Sequence, residues 1–266
     1  MLKAVPLSRI CVMSVLETVI SAAKSAGSIL AGEFSRITKF EAKGKHDIVT
    51  RADYHSEFLI IEQLQAEYPD YGIVTEESPN IEGKSGYCWY IDPLDGTSNF
   101  ITGNPYFAVS IGLAFQNEIM LGVVFNPISG ELFYAEKGKG AYLNKKEISV
   151  SERSELSGSF VACAYAAQEE KIREGIDLLE KLALQSRRVV VNFAPALDLC
   201  NIARGRIDAL IDNGSTPEDH AAASLILSEA GGSVRNYDLA SWDVNRTGII
   251  ATNKYIQEKL LTVLDL

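Results

Sequence analysis

The segment Cys88-Trp89-Tyr90-Ile91-Asp92-Pro93-Leu94-Asp95-Gly96 constrains the fold more than any other stretch of the chain. An apolar run ends abruptly in two aspartates, with Pro between them and Gly behind. Residues 88–91 read as a strand that delivers the carboxylates to its C-terminal end, a usual place for a site in α/β folds. Pro93 is expected to force a turn, so that Asp92 and Asp95 converge. Gly96 permits close backbone approach to a ligand, and its N–H with that of Thr97 could cradle a phosphate. Spacing alone leaves the competing reading open: an ordinary Asp-Pro-x-Asp-Gly turn.

The rest of the chain supplies layers for such a strand. Residues 14–34 read as an amphipathic helix with Val15, Val19, Ala22, Ala26 and Ile29 on one side. Residues 39–45 read as a polar, basic loop. Residues 52–67 read as a second helix, with Phe58, Ile61, Leu64 and Tyr68 at helical spacing, stopped by Pro69-Asp70. Strands are expected at 72–75, 88–91, 108–115 and 120–125, and the turn at 126–130 leads into a hairpin strand at 131–135. Beyond a polar, Ser-rich stretch at 144–159, strands at 160–164, 187–191, 207–211 and 247–251 alternate with helices at 169–184, 196–204, 217–230 and 255–264. That alternation indicates an α/β class with layered structure. The polar stretch divides the chain into two coupled subdomains, residues 1–150 and 151–266.

Bulk properties exclude several functions. The chain has 266 residues, 47% apolar and 23% charged, an ordinary globular composition. Its formal net charge of −10 repels nucleic-acid phosphates and anionic membranes, so neither is an expected partner. Cys11, Cys88, Cys163 and Cys200 form no CxxC pair, which argues for isolated thiols in a reducing cytoplasm. The apolar run at 10–16 is short and interrupted by Glu17, so it does not read as a targeting segment. Met13 is a plausible alternative start, which makes residues 1–12 an ill-defined extension.

Further acidic groups sit at expected element ends. Glu76-Glu77 follows the strand at 72–75 and reads either as part of a site or as a solvated loop. Asp219 lies in Thr216-Pro217-Glu218-Asp219, which capping alone explains. Asp47 and Asp53 flank the second helix, and Asp53 is a candidate cap. Carboxylates at several element ends, without a His cluster or reactive Cys signature, suit a hard cation such as Mg²⁺. His46, His55 and His220 are scattered and read as surface or packing residues.

These segments resemble the inositol monophosphatase family over nearly the whole chain. Asp92-Pro93-Leu94-Asp95-Gly96-Thr97 is that family's principal motif. Asp47-Ile48-Val49-Thr50…Asp53, Glu76-Glu77-Ser78, Asn99-Phe100…Gly103-Asn104-Pro105, Arg188…Ala196-Leu197-Asp198-Leu199-Cys200…Gly205-Arg206-Ile207-Asp208 and Glu229-Ala230-Gly231-Gly232 occur in the expected order. The resemblance implies a layered αβαβα sandwich of the sugar-phosphatase type and Mg²⁺-dependent hydrolysis of a phosphate monoester. It implies metal ligands at Glu76, Asp92, Asp95, Asp219 and the Leu94 carbonyl. Thr97 and Asp53 would orient and deprotonate the attacking water, and the Gly96 and Thr97 amides would hold phosphate oxygens. The family also suggests a homodimer acting on a small phosphorylated metabolite.

Departures from the family pattern fall where substrate is chosen. Phe193-Ala194-Pro195 replaces a common Gly-Ser/Thr-Ala, Asp212 replaces a common Glu, Thr102 replaces a common His, and Glu218 precedes Asp219 in place of Trp. Phe193, Ala194, Pro195, Asp212 and Glu218 are therefore expected to set the leaving-group preference. Inositol monophosphate is the first substrate expectation. Histidinol phosphate, a nucleoside 3′,5′-bisphosphate or fructose 1,6-bisphosphate is the alternative, and a regulatory binding protein on the same scaffold is a further one.

Overall fold

Local capping decides where the principal helices begin. In the computed structural model of the chain, which describes residues 13–34, 36, 40–42 and 48–265, helix α1 (Val15–Glu33) starts at a capping box between Ser14 and Glu17. The two-residue strands β1 (Glu41–Ala42) and β2 (Ile48–Val49) pair antiparallel and lead to α2 (Arg51–Glu67), which starts at a second capping box, Thr50 with Asp53. Residues 1–12, Asp47, His46 and most of the 39–45 loop lie outside the described residues.

The chain then builds β3 (Gly72–Thr75), β4 (Tyr87–Asp95), the short helix α3 (Thr97–Thr102), β5 (Ala108–Phe115), β6 (Glu118–Asn126), β7 (Glu131–Glu136), β8 (Ala141–Leu143) and β9 (Lys146–Ile148). These seven strands form one sheet in sequence order, antiparallel except for the parallel pair β3–β4. The remainder is β10 (Phe160–Ala164), α4 (Glu169–Gln185), β11 (Arg188–Val190), α5 (Pro195–Ala203), β12 (Ala209–Asp212), α6 (Pro217–Glu229), β13 (Ser233–Asn236), β14 (Ile249–Thr252) and α7 (Gln257–Leu264). Its five strands form a second sheet, ordered β11-β10-β12-β14-β13.

Strand alternation assigns the layers. Trp89, Ile91, Val109, Ile111, Leu121 and Val123 face α1 and α2. Residues of the opposite face, among them Tyr90, Ala108 and Val124, pack with α5 and α6 and with Ala162, Ala164, Leu210 and Ala251 of the second sheet. Val161, Cys163, Ala209 and Ile211 turn outward to Leu178 and Leu182 of α4 and Leu260 and Leu264 of α7. The result is the five-layer αβαβα sandwich expected from the sequence. Helix α6 sits unusually close to the first sheet. Gly112 and Gly122 are cross-strand partners, and a Cβ on Gly122 would lie 2.3 Å from the Ala222 carbonyl oxygen. That close approach sets the height of α6, and its first turn carries Asp219.

Three expectations need correction. The inward face of α2 is Ala52, Asp53, Ser56, Glu57, Ile60 and Leu64, while Phe58 is 69% exposed. Its first turns reach the end of β4, where polar groups are needed. Strands β8, β9 and β13 lie outside the strands expected from the sequence: β8 is only three residues long, and β9 and β13 carry polar residues in place of the apolar alternation that marks a half-buried strand. Within the 39–45 segment, Glu41–Ala42 is strand β1. Among the described residues, no helix is long and apolar enough to cross a membrane.

Candidate active site

Strand β4 does not stop at Ile91; it continues through Asp95 with a bulge. Asp92 pairs with Ser110 and Asp95 with Ala108, so three steps along β4 face two along β5. In an unbroken strand residues 92 and 95 would point to opposite faces. The extra residue brings both carboxylates to one pocket, the convergence that the sequence analysis attributed to a turn. The Ser56 hydroxyl donates to the Pro93 carbonyl at 2.9 Å. The Leu94 N–H donates to Asp92 Oδ1 at 2.9 Å, and the Leu197 N–H, from the first turn of α5, to Asp95 Oδ2 at 3.2 Å. Gly96 follows in the left-handed region, at φ 94°, and α3 begins behind it.

The pocket these residues share has a volume of about 170 Å³. Its wall has three parts: the carboxylates Glu76, Asp92, Asp95 and Asp219; the chain from Leu94 through Ser98; and Phe193 with Pro195. No Lys, Arg or His is among the lining residues. Burial first, then the charges of Glu76, Asp95 and Asp219, pushes the Asp92 carboxyl well above the ordinary carboxylate range. Burial first, then Asp219, does the same to Asp95, against its bond from Leu197. Burial first, then Glu76, raises Asp219.

An all-oxygen donor set of carboxylates and a backbone carbonyl fits a hard divalent cation. Among the described residues, no three His, Cys, Asp or Glu side chains are drawn together closely enough to hold a metal as they stand. The carboxylates repel one another, and Asp92, Asp95 and Asp219 each accept a backbone N–H. The donor set fits a cation by its chemistry, without a preformed cage.

Two residues combine roles that the sequence left as alternatives. Asp53 Oδ2 accepts the Thr50 N–H at 2.9 Å and hydroxyl at 2.6 Å, which caps α2. Its Oδ1 accepts the Thr97 hydroxyl at 3.2 Å. Asp219 Oδ2 likewise caps α6 through the Thr216 N–H at 2.6 Å and hydroxyl at 3.0 Å, while the residue lines the pocket. A helix cap and a site carboxylate occupy the same position because both belong at the end of an element facing the sheet.

Ala194, Asp212 and Glu218 are not part of the pocket wall. Ala194 is fully buried beneath Gly96, and Asp212 Oδ1 accepts the N–H groups of Gly214 and Ser215 at 2.9 and 3.0 Å, fixing its own turn. Glu218 lies in the first turn of α6 without lining the pocket. His220 is buried, its Nε2 faces the Arg246 carbonyl at 3.2 Å, and burial lowers it to about 4, consistent with a packing residue. His55 pairs with Glu33 at the surface.

Sequence reasoning missed Ser98, Ser56, Glu57 and the network around Asp198. Asp198 Oδ1 accepts the Tyr106 hydroxyl at 2.6 Å and Asn192 Nδ2 at 2.7 Å. Burial, partly offset by those two bonds, raises Asp198 to about 7. The recoverable signal for Ser56 and Glu57 was their spacing of three and four residues after Asp53 on one helix face.

A model of the inositol monophosphatase family matches residues 12–265. Nus factor SuhB of Haemophilus influenzae is 39% identical over 253 residues, covering 92% of this chain and 94% of that protein. Inositol monophosphatase 2 of Solanum lycopersicum is 36% identical over 259 residues, covering 94% of this chain and 97% of that protein. Among solved structures, the extragenic suppressor protein suhB of Bartonella henselae aligns with a TM-score of 0.90 at 34% identity, covering 95% of this chain and 98% of that chain.

Proposed function

The chain belongs to the inositol monophosphatase family and is a phosphoric monoester hydrolase, and within that class we propose that it hydrolyses inositol monophosphate with Mg²⁺ held in the acidic pocket. The observation that carries this reading is a wall of four carboxylates with no lining cation. A phosphate monoester is itself anionic, so such a wall repels it until a divalent cation reverses the local sign.

Glu76, Asp92, Asp95, Asp219 and the Leu94 carbonyl would hold the ion. When bound, Mg²⁺ supplies charge neutralisation at the phosphate oxygens and makes water more acidic. The Thr97 hydroxyl has one proton and two acceptors, Asp53 Oδ1 and the Leu94 carbonyl, each at 3.2 Å. Donation to Asp53 leaves the Leu94 carbonyl free for the cation and lets the Thr97 oxygen accept a hydrogen bond from the attacking water. Asp53 is buried, and burial raises its pKa against the bonds from Thr50 and Thr97, which suits a group that takes a proton. Gly96 and Thr97 lie where backbone N–H groups have no helical acceptor, and they would donate to phosphate oxygens.

The leaving group would meet Phe193, Pro195 and Ser98, which line the pocket in place of Ala194 and Asp212. Histidinol phosphate, nucleoside 3′,5′-bisphosphate and fructose 1,6-bisphosphate are the alternative substrates of the same site. The relative named Nus factor SuhB motivates a second reading, a regulatory binding role on this scaffold. The proposal includes a homodimer in a reducing cytoplasm, consistent with unpaired Cys88, Cys163 and Cys200.

A phosphate-release screen over these four substrates, with and without Mg²⁺, tests the reading. The expected result is the highest kcat/KM for inositol monophosphate. A different best substrate replaces that assignment, and no release from any of them favours the regulatory role.

A further inference from the structure

Helix α2 presents Asp53, Ser56 and Glu57 on one buried face. Asp53 reaches Thr97 and Ser56 reaches the Pro93 carbonyl, so two of the three already touch the pocket's frame. Glu57 is 1% exposed and does not line the pocket. Its Oε2 accepts the Thr75 hydroxyl at 2.6 Å and the Glu77 N–H at 2.9 Å. Those donors lie 18 and 20 residues away in sequence. They belong to the residues immediately before and after Glu76. One buried oxygen therefore grips the chain on both sides of a pocket carboxylate. Strand β3 ends at Thr75, so the sheet ladder does not continue through Glu76.

Resting on the reading of Glu76 as a cation ligand, we infer that Glu57 is the positioning residue for Glu76 and sets the affinity of the pocket for Mg²⁺. Glu76 faces Asp92 and Asp219, whose charges oppose its own. That repulsion favours outward relaxation of the chain beyond β3. Two hydrogen bonds on one buried oxygen, at 2.6 and 2.9 Å, oppose the relaxation, because breaking them would leave buried polar groups unsatisfied. The cation then meets a ligand already held in place, which lowers the ordering cost of binding.

The test is titration calorimetry of Mg²⁺ into the chelator-stripped full-length protein without substrate, with melting temperature and kcat measured alongside. Glu57→Ala and Thr75→Val are expected to weaken Mg²⁺ binding by about 10–100-fold, the usual effect of removing a partner that orients a metal ligand. Their kcat at saturating Mg²⁺ is expected to stay near that of the parent protein, because Glu76 itself remains. Glu57→Gln keeps an acceptor oxygen and is expected to recover most of the affinity. Where Glu57→Ala does not fold, Thr75→Val, which keeps the side-chain shape, carries the measurement. Lowered melting temperature with unchanged Mg²⁺ affinity in Glu57→Ala and Thr75→Val overturns the inference and leaves Glu57 a packing residue. Glu76→Gln separates the two layers of the argument. Unchanged affinity in Glu76→Gln overturns the ligand reading and the inference with it. Lost affinity there with full affinity in Thr75→Val overturns the positioning role alone.

Discussion

The wall formed by the end of β4, with the inner face of α2 supporting it from behind, differs in construction from the wall formed by Phe193 and Pro195. On the first, polar groups are buried and tied to distant segments: Asp53 to Thr97, Ser56 to Pro93, Glu57 to Thr75 and Glu77, and Asp95 to Leu197. On the second, Phe193 is 40% exposed and sits at φ 50°. A non-glycine residue in that region costs about 1–2 kcal/mol. Its ring packs edge-on against Tyr165 with centroids 5.2 Å apart, and its neighbour Asn192 is bonded inward, to Asn99 and Asp198. The phosphate is common to every substrate of such an enzyme, and a rigid wall suits it. The leaving group varies, and a side chain on a partly exposed loop can change without disturbing the first wall.

The largest effect is expected on the first wall. Asp95→Asn removes a charge at nearly constant shape. Losing about 4 kcal/mol of transition-state stabilisation corresponds to roughly 10³-fold in turnover. Retained circular dichroism with turnover near that of the parent protein would remove Asp95 from the site.

Asp53→Asn comes next and divides the two oxygens' roles. We expect kcat to fall about 10²-fold through loss of the proton acceptor. A stability loss of about 1 kcal/mol is expected from the weakened cap. Stability loss with an unchanged rate confines Asp53 to capping.

On the second wall, Phe193→Gly is expected to change the kcat/KM ranking of substrates by about tenfold while leaving Mg²⁺ dependence intact. Asp212→Glu should cost about 1–3 kcal/mol of stability by overpacking a buried turn, without altering the ranking. A ranking that follows Asp212 and ignores Phe193 reverses the assignment of this wall.

The last effect is on stability rather than turnover and lies behind that wall. Burial, partly offset by bonds from Tyr106 and Asn192, raises Asp198 to about 7 in the folded protein, from an ordinary value of 3.8. The folded state therefore keeps the proton where the unfolded state releases it. The associated stability is fully present below pH 3.8 and is lost as pH rises through 7. Asp198→Asn should flatten this slope, at most about 1.4 kcal/mol per pH unit, in denaturant unfolding measured from pH 4 to 8. Parallel curves for the two proteins would mean that Asp198 titrates normally.

The contrast between the walls also explains what the sequence disclosed. Asp92 through Thr97 is contiguous, so one segment names most of the phosphate side. Thr50, Ser14 and Thr216-Pro217 mark helix starts because caps act within three residues. Strands β5 and β10 are legible because their residues are almost uniformly apolar. The bulge at Asp92–Asp95 is not, because it exists only relative to β5. Phe58 and Ile61 match a helical stripe as well as Ile60 and Leu64 do, and only the site explains why Ser56 and Glu57 turn inward. Ala194 and Asp212 stand at positions the family pattern marks for substrate. Tertiary packing turns Asp212 onto its own backbone and buries Ala194.

The central claim is that the carboxylate wall admits a phosphate ester only when a divalent cation is present. The most direct measurement is phosphate release from inositol monophosphate by chelator-stripped protein as Mg²⁺ is titrated back, with circular dichroism recorded at each point. We expect no turnover without metal, a saturable return with Mg²⁺, and an unchanged spectrum throughout. Full turnover in excess chelator would contradict the account.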